Sequence, residues 1–551
     1  MSDAADTPRD LPDNVGALKS IIGVQRLEIE RLEEKLRLAA HKRFGASSEK
    51  ADPDQLGLFN EAETVAAQSQ TDAPTEITVP EHKRTKGGRK PLDPDLPRVR
   101  IEHDITETEK LCPCGSGHKR PKIGEMVSEQ ADIVPARVQV LQHVRFKYGP
   151  CRQCDGVFPP VTGEPDHTVA PKPIAVPEAR PVIVAPLPAQ PIPKSIASAG
   201  TCAFVATAKY ADGLPLYRLE KILRRYGLDV SRGTLAAWMI RLGELIMPLI
   251  NLMEETQLAY DILAMDETTV QVLKEPASGS QTAVGQNRFR AAQTKSRMWV
   301  RRGGPPDKPI VLFNYEPTRS GKVAWRLTED FKGYLQSDGY AGYAVVGRRD
   351  DVIHVGCLAH ARRKFDEALK AQKKTGRGGL AAQGLALIGK IYAKEKIARK
   401  AGMSAEARKK LRDDKARPVW NELRQWLDRV RGHAPPSTKT GEALTYLDNQ
   451  WPQLIRVLDD GRLEVDNNFC ENSIRPFVLG RKAWLFSDTP AGAEASARLY
   501  SLIETAKASG QEPYAYLARV FAELPKATTL AEVETLLPWN IAPPATHSVA
   551  A

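Results

Sequence analysis

Two short apolar runs, each leading into an aspartate, constrain this chain more than any other feature. Tyr260 to Met265 (YDILAM) runs into Asp266, and Tyr334 to Gln336 runs through Ser337 into Asp338. Apolar runs of this length read as buried strands, and an acid at the end of a buried strand is held rigidly at the rim of a sheet. Two such strands side by side present two carboxylates a few ångströms apart, and these repel unless a divalent cation takes both as hard oxygen ligands. A third carboxylate from a nearby helix would complete the cage, and Glu471, in Asn467-Asn468-Phe469-Cys470-Glu471, is the candidate.

Each acid also has a plainer reading. Asp338-Gly339 is a common turn dipeptide. Asn468 followed three residues later by Glu471 resembles a capping box, which would make Glu471 a local helix residue. Glu267 stands next to Asp266 and could be the acid that matters instead. On pattern alone the trio stays undecided.

The remaining strand signals are Met298 to Arg301, Pro309 to Phe313 and Val352 to Val355, while residues 365–460 read as helical and basic. Residues 493–508 read as a strong helix stopped by Gly510. Pro476 predicts that any helix carrying Glu471 is kinked or ends nearby.

Upstream, the chain divides into smaller units, as 551 residues require. Over 14–45, Leu18, Ile22, Ile29, Leu32 and Leu36 recur at spacings of three and four, with Gln25 and Ala39 completing the seam. That is a short leucine-zipper-like coiled coil, or one amphipathic helix packed on its own chain. Residues 46–97 form a polar linker ending in a basic, glycine-rich stretch with Arg89 and Lys90, suited to a narrow minor groove or simply to solvent.

Residues 98–170 alternate like short strands and hold Cys112-Pro113-Cys114 and Cys151-Arg152-Gln153-Cys154. Close cysteine pairs in a chain with seven cysteines point to metal rather than to a disulfide scaffold. Residues 171–194 carry eight prolines and read as a stiff connector. Residues 195–257 return to helical periodicity. There Leu216 to Gly227, a turn, and a helix starting at Arg232 with Ser231 as N-cap have helix-turn-helix spacing. Arg232 and Thr234 then stand where base edges would be met, although helical hairpins also occur in packed bundles.

Charge agrees with a polyanion partner without proving one: 79 Lys plus Arg against 68 Asp plus Glu gives +11. No run of eighteen apolar residues occurs, and the first residues do not resemble a signal peptide, so the expectation is a cytoplasmic protein with no membrane partner.

Ordered blocks through the chain resemble transposases of the insertion sequence 66 family. They are Arg43-Phe44-Gly45-Ala46-Ser47-Ser48-Glu49-Lys50, Gly88-Arg89-Lys90-Pro91-Leu92, Pro193-Lys194-Ser195-Ile196-Ala197-Ser198 and Leu214-Pro215-Leu216-Tyr217-Arg218. Further on come Met265-Asp266-Glu267-Thr268, Ser337-Asp338-Gly339-Tyr340 and Cys357-Leu358-Ala359-His360-Ala361-Arg362-Arg363-Lys364-Phe365. The strongest is Asp466-Asn467-Asn468 with Glu471-Asn472, Ile474-Arg475-Pro476 and Gly480-Arg481-Lys482-Ala483-Trp484-Leu485-Phe486.

The resemblance implies an α/β protein with an RNase H-like DDE catalytic domain at 258–510 and a helical insertion at about 365–460. Beside it stand the coiled coil, a zinc-binding module, a helix-turn-helix region, and a C-terminal helical element and tail at 511–551. It matches the triad to Asp266, Asp338 and Glu471, holding two Mg²⁺ or Mn²⁺ ions, and matches Cys112, Cys114, Cys151 and Cys154 to a zinc site. The single residue between the first two cysteines departs from the usual spacing, and His118 or His143 would then be a replacement ligand. His360, Arg475 and Lys482 join Arg89, Lys90, Arg232 and Thr234 as candidate DNA contacts, with a Glu471–Arg475 ion pair as the plain alternative for Arg475.

The implied function is a nucleoid-associated transposase that binds terminal inverted repeats in double-stranded DNA and then cuts and joins strands. It would act as a homo-oligomer, with small accessory proteins as further partners. A non-catalytic DNA-binding regulator and a purely hydrolytic nuclease are the competing readings.

Overall fold

The computed structural model describes residues 188–276, 295–371 and 379–542, with shorter pieces at 138–144, 147–148 and 183–184 and the isolated Asn14, Gln25 and Leu32. Gln25 and Leu32 are helical. Otherwise the coiled coil and the basic linker with Arg89 and Lys90 lie outside the described residues, as do the four cysteines and His118 of the zinc module, of which 138–144 and 147–148 are described. His143 is exposed.

Four helices lead into the core: α1 (Ala199–Tyr210), α2 (Leu216–Arg225), α3 (Arg232–Leu245) and α4 (Met247–Leu258). The sheet follows, with β1 (Ile262–Gln271), β2 (Lys295–Gly303), β3 (Ile310–Glu316), β4 (Gly333–Gln336) and β5 (Val352–Val355); α5 (Gly321–Leu327) lies between β3 and β4. The spatial order is β3-β2-β1-β4-β5, antiparallel through the first three and parallel from β1 to β4 to β5. β1 is therefore the central strand.

Its pleat sorts side chains onto two faces. Leu263 and Met265 join Trp299, Val323, Leu327, Tyr343 and Val346 in a core under α5. Ala264 and Val270 face the other way, into a larger core. That core is built with α3, α11 (Asn468–Trp484), α12 (Pro490–Ala508) and α13 (Pro513–Glu523). Among the described residues the last helix is α14 (Leu530–Glu534).

Strand β3 is an edge, and α12 covers it. Phe313 N–H donates to Ser501 Oγ at 2.7 Å, Val311 N–H to Thr505 Oγ1 at 3.0 Å, and Thr505 Oγ1 returns a bond to Val311 O at 2.9 Å. Helix hydroxyls thus satisfy ladder groups that a neighbouring strand would otherwise take. Tight packing backs this up: a Cβ on Gly243 of α3 would stand 2.9 Å from Ala495 Cα of α12.

Between β5 and α11 stand α6 (Leu358–Ala371), α7 (Leu380–Lys400), α8 (Ala405–Leu411), α9 (Arg417–Val430) and α10 (Lys439–Leu454), around a core of their own containing Phe365, Trp420, Trp426, Leu444 and Leu447. The junction back to the sheet is polar. Buried Arg412 pairs with buried Glu395 and donates to the carbonyls of Val457, Asp460 and Leu463 at 2.8, 2.8 and 2.7 Å, while Arg408 ties Glu395 to Glu464. These bonds fix the segment that enters α11.

One expectation is corrected and another is narrowed. Asp266 does not follow its strand but lies within it, because β1 continues through Glu267, Thr268, Thr269 and Val270. The β-branched Thr268, Thr269 and Val270 suit a pleated, covered strand, and both threonines are buried. Of the kink or ending expected at Pro476, the ending does not occur: α11 runs on to Trp484. A proline removes one backbone donor, and the buried Ile474, Phe477 and Val478 around it hold the helix together by packing.

A candidate three-carboxylate active site

The parallel pairing of β1 with β4 puts Ala264 level with Gln336. Asp266 and Asp338 each lie two residues further on, so the two carboxylates are carried to the same level of the sheet. Asp266 shares the face of Ala264 and Val270, towards α11; Glu267, one residue on, faces the opposite core. There Glu267 is ion-paired to Arg319 and accepts from Tyr343 Oη. The pleat thus separates the two neighbouring acids that the sequence left in competition.

Asp266 Oδ1 accepts from Glu267 N–H at 2.8 Å, and its Oδ2 is buried with no hydrogen-bond partner. Burial pushes the Asp266 carboxyl well above the usual carboxylate range, and Glu471, Glu267 and Asp338 push it further by repulsion. Asp338 Oδ1 accepts from Tyr340 N–H at 3.0 Å, so the turn expected of Asp338-Gly339 is present. Its Oδ2 lies 3.8 Å from Arg319, whose guanidinium stacks 3.7 Å above the Tyr340 ring. Gly339 is required there: a Cβ would stand 2.7 Å from Tyr446 Oη.

Glu471 sits buried in the first turn of α11, 3.8 Å from His360 Nδ1 and 3.8 Å from Arg363, both on α6. The capping-box reading fails, because the N-cap is Asn467, whose side chain makes no capping bond; Asp466 Oδ1 instead accepts from Asn468 N–H at 3.2 Å. Asn467 instead reaches across: its Nδ2 donates to Met265 O at 2.9 Å and its backbone N–H to Cys357 Sγ at 3.2 Å. The third acid is thereby tied to the strand carrying the first. All-oxygen donors, mutual repulsion and an orphaned buried carboxylate oxygen on Asp266 fit hard divalent cations such as Mg²⁺ or Mn²⁺.

The other candidates distribute unevenly. His360 joins the site, against Glu471. Arg475 is half-buried on α11. Lys482 is exposed, whereas its neighbour Arg481 turns inward and donates to Thr269 Oγ1 of β1 at 2.8 Å. Arg232 and Thr234 are exposed in the first turn of α3, and Ser231 caps that helix as expected, accepting from Thr234 N–H at 3.2 Å. Sequence reasoning gave no role to Arg319, Cys357, Arg363 or Asn467. The one available signal was that Cys357, Arg363 and Asn467 lie inside the quoted motif blocks. Among the described residues, no single helix is long and apolar enough to cross a membrane.

Family models extend over most of the chain. The model for the transposase IS66 family matches residues 194–495, and the IS66 C-terminal element matches 501–539. The zinc-finger binding domain of transposase IS66 matches 109–155, a window holding both cysteine pairs, and the model described as transposase C of IS166 homeodomain matches 31–101. Two proteins of Sinorhizobium fredii (strain NBRC 101917 / NGR234) are similar over almost their whole length. Uncharacterized protein y4jD is 31% identical across 96% of this chain and 97% of its own, and uncharacterized protein y4qI is 30% identical across 97% and 90%. The chain belongs to the IS66 family of transposases.

Proposed function

We propose that this protein is a DDE transposase that binds the terminal inverted repeats of an insertion sequence and carries out metal-dependent DNA strand cleavage and strand transfer. The observation that supports it most is the buried Asp266 on the central strand, repelled by Glu471, then Glu267, then Asp338. The mixed sheet with acids on and beside its central strand supports an RNase H-like core, spanning 258–510 with α6 to α10 as its insertion.

Asp266, Asp338 and Glu471 would hold two Mg²⁺ or Mn²⁺ ions, which would activate a water or a DNA 3′-hydroxyl as nucleophile and stabilise the leaving oxygen. The chain's own groups do the positioning. Asn467 fixes the start of α11 against β1, and Arg319 holds Asp338 against the Tyr340 turn. Buried, paired supports of this kind keep ligands within tight tolerances. On this reading 195–257 presents Arg232 and Thr234 to DNA, 98–170 is stabilised by Zn²⁺, and 14–45 pairs copies of the chain.

The test uses a donor duplex with terminal repeats and magnesium. Asp266→Asn, Asp338→Asn and Glu471→Gln each reduce cleavage and joining by about 10³-fold or more, while repeat binding persists. Unimpaired cutting by any of these variants removes that residue from the triad. Nicking without joined products would leave a nuclease.

A further inference from the structure

Beside the three carboxylates lies a second donor set of different character. Cys357 immediately precedes α6, His360 follows one turn on, and Glu471 reaches them from α11. Sγ, an imidazole nitrogen and a carboxylate oxygen all lie within 4.8 Å of one another. Two of these groups are held in place: Cys357 is 1% exposed and receives the Asn467 N–H at 3.2 Å, and Glu471 is wedged between His360 and Arg363. The i, i+3 spacing of Cys357 and His360 puts both on one side of the helix start.

We propose that Cys357, His360 and Glu471 form a binding site for a borderline-soft divalent cation of the zinc class, sharing Glu471 with the all-carboxylate site. Thiolate and imidazole select such ions over magnesium, which prefers oxygen alone. Ligand atoms around tetrahedral zinc stand about 3.3–3.8 Å apart, given bonds of about 2.0–2.3 Å. The His360–Glu471 separation of 3.8 Å already meets this, and the remaining pairs need small side-chain movements. A backbone N–H aimed at the sulfur is the outer-shell contact that a metal-bound thiolate keeps. Three protein ligands leave the fourth position open.

Zinc held here takes Glu471 away from the magnesium ligands, so the ion acts as a brake on cutting. That consequence rests on the proposed transposase reading; the site itself does not.

The test is a zinc count on the full chain, after equilibration with excess zinc and removal of loosely held ion. Wild type retains about one zinc per chain more than Cys357→Ser, His360→Gln or Glu471→Gln, each confirmed as folded by circular dichroism. Taking a difference removes the contribution of the cysteine-pair module, whatever its occupancy. Two or more folded variants holding as much zinc as wild type would overturn the proposal, whether or not the protein cuts DNA. Loss of about one ion in each supports it.

Discussion

Asn467 Nδ2 donates to Met265 O at 2.9 Å, joining the residue before α11 to the residue before Asp266. The bond is buried, and it spans elements two hundred positions apart in the chain. Asn467→Ala leaves the Met265 carbonyl unpaired, at about 1–3 kcal/mol. Thermal unfolding of the variant is expected several degrees lower, and cleavage falls more than repeat binding, since the bond sets where Glu471 stands.

Asp266 titrates against its surroundings. Burial first, then Glu471, Glu267 and Asp338, raise its folded value above the ordinary 3.8. A carboxyl raised on folding favours the native state below its unfolded value, and that contribution is lost as pH rises through the folded value. In magnesium-free buffer, Asp266→Asn is therefore expected to raise the melting temperature at pH 7–8 and to change it little near pH 4. Magnesium stabilises wild type at the higher pH and the variant much less. Equal melting temperatures of the two proteins across this range would contradict the assignment.

Glu395 behaves with the opposite sign. Burial opposes its ionisation, but Arg412 and Arg408 outweigh burial and hold the carboxyl below its ordinary 4.5. Its contribution is complete above that value and is lost as pH falls through the lower folded one. Glu395→Ala leaves two guanidinium groups at the junction without their shared carboxylate, a loss of about 3–5 kcal/mol. Glu395→Gln flattens the acid limb of the stability curve, as read by denaturant midpoints from pH 7 to pH 3.

Arg232 projects from the first turn of α3 into solvent. If it meets a phosphate, Arg232→Ala weakens binding to every duplex by a similar factor and lowers the salt slope by about 0.9. If it meets a base edge, discrimination between repeat and unrelated DNA falls instead, by about 1–3 kcal/mol. Affinities at several salt concentrations separate these outcomes, and a variant indistinguishable from wild type excludes the helix from the interface.

Much of the site was legible from local signals. The apolar runs before Asp266 and Asp338 mark strands, and Ser231 before Arg232 marks a helix start that the structure caps as expected. What stayed hidden depends on partners distant in the chain. Thr268 and Thr269 look like the end of a strand until α11 covers them, with Arg481 bonded to both. Choosing Asp266 over Glu267 needs the two faces of β1, which only the packed cores define. Pro476 ordinarily stops a helix, and only burial of Ile474 and Phe477 shows why α11 persists. The grouping of Cys357 with Glu471 crosses more than a hundred residues and has no local signature.

The helical block from Leu358 to Leu454, with its own core, stands between the second acid and the third. A growing chain that has already paired β1 with β4 therefore holds Asp266 and Asp338 without Glu471. On the proposed reading, the cutting centre is assembled only after that block has packed and Arg412 has docked the returning segment. Synthesis order then delays the capacity to break DNA until the chain has grown past Glu471.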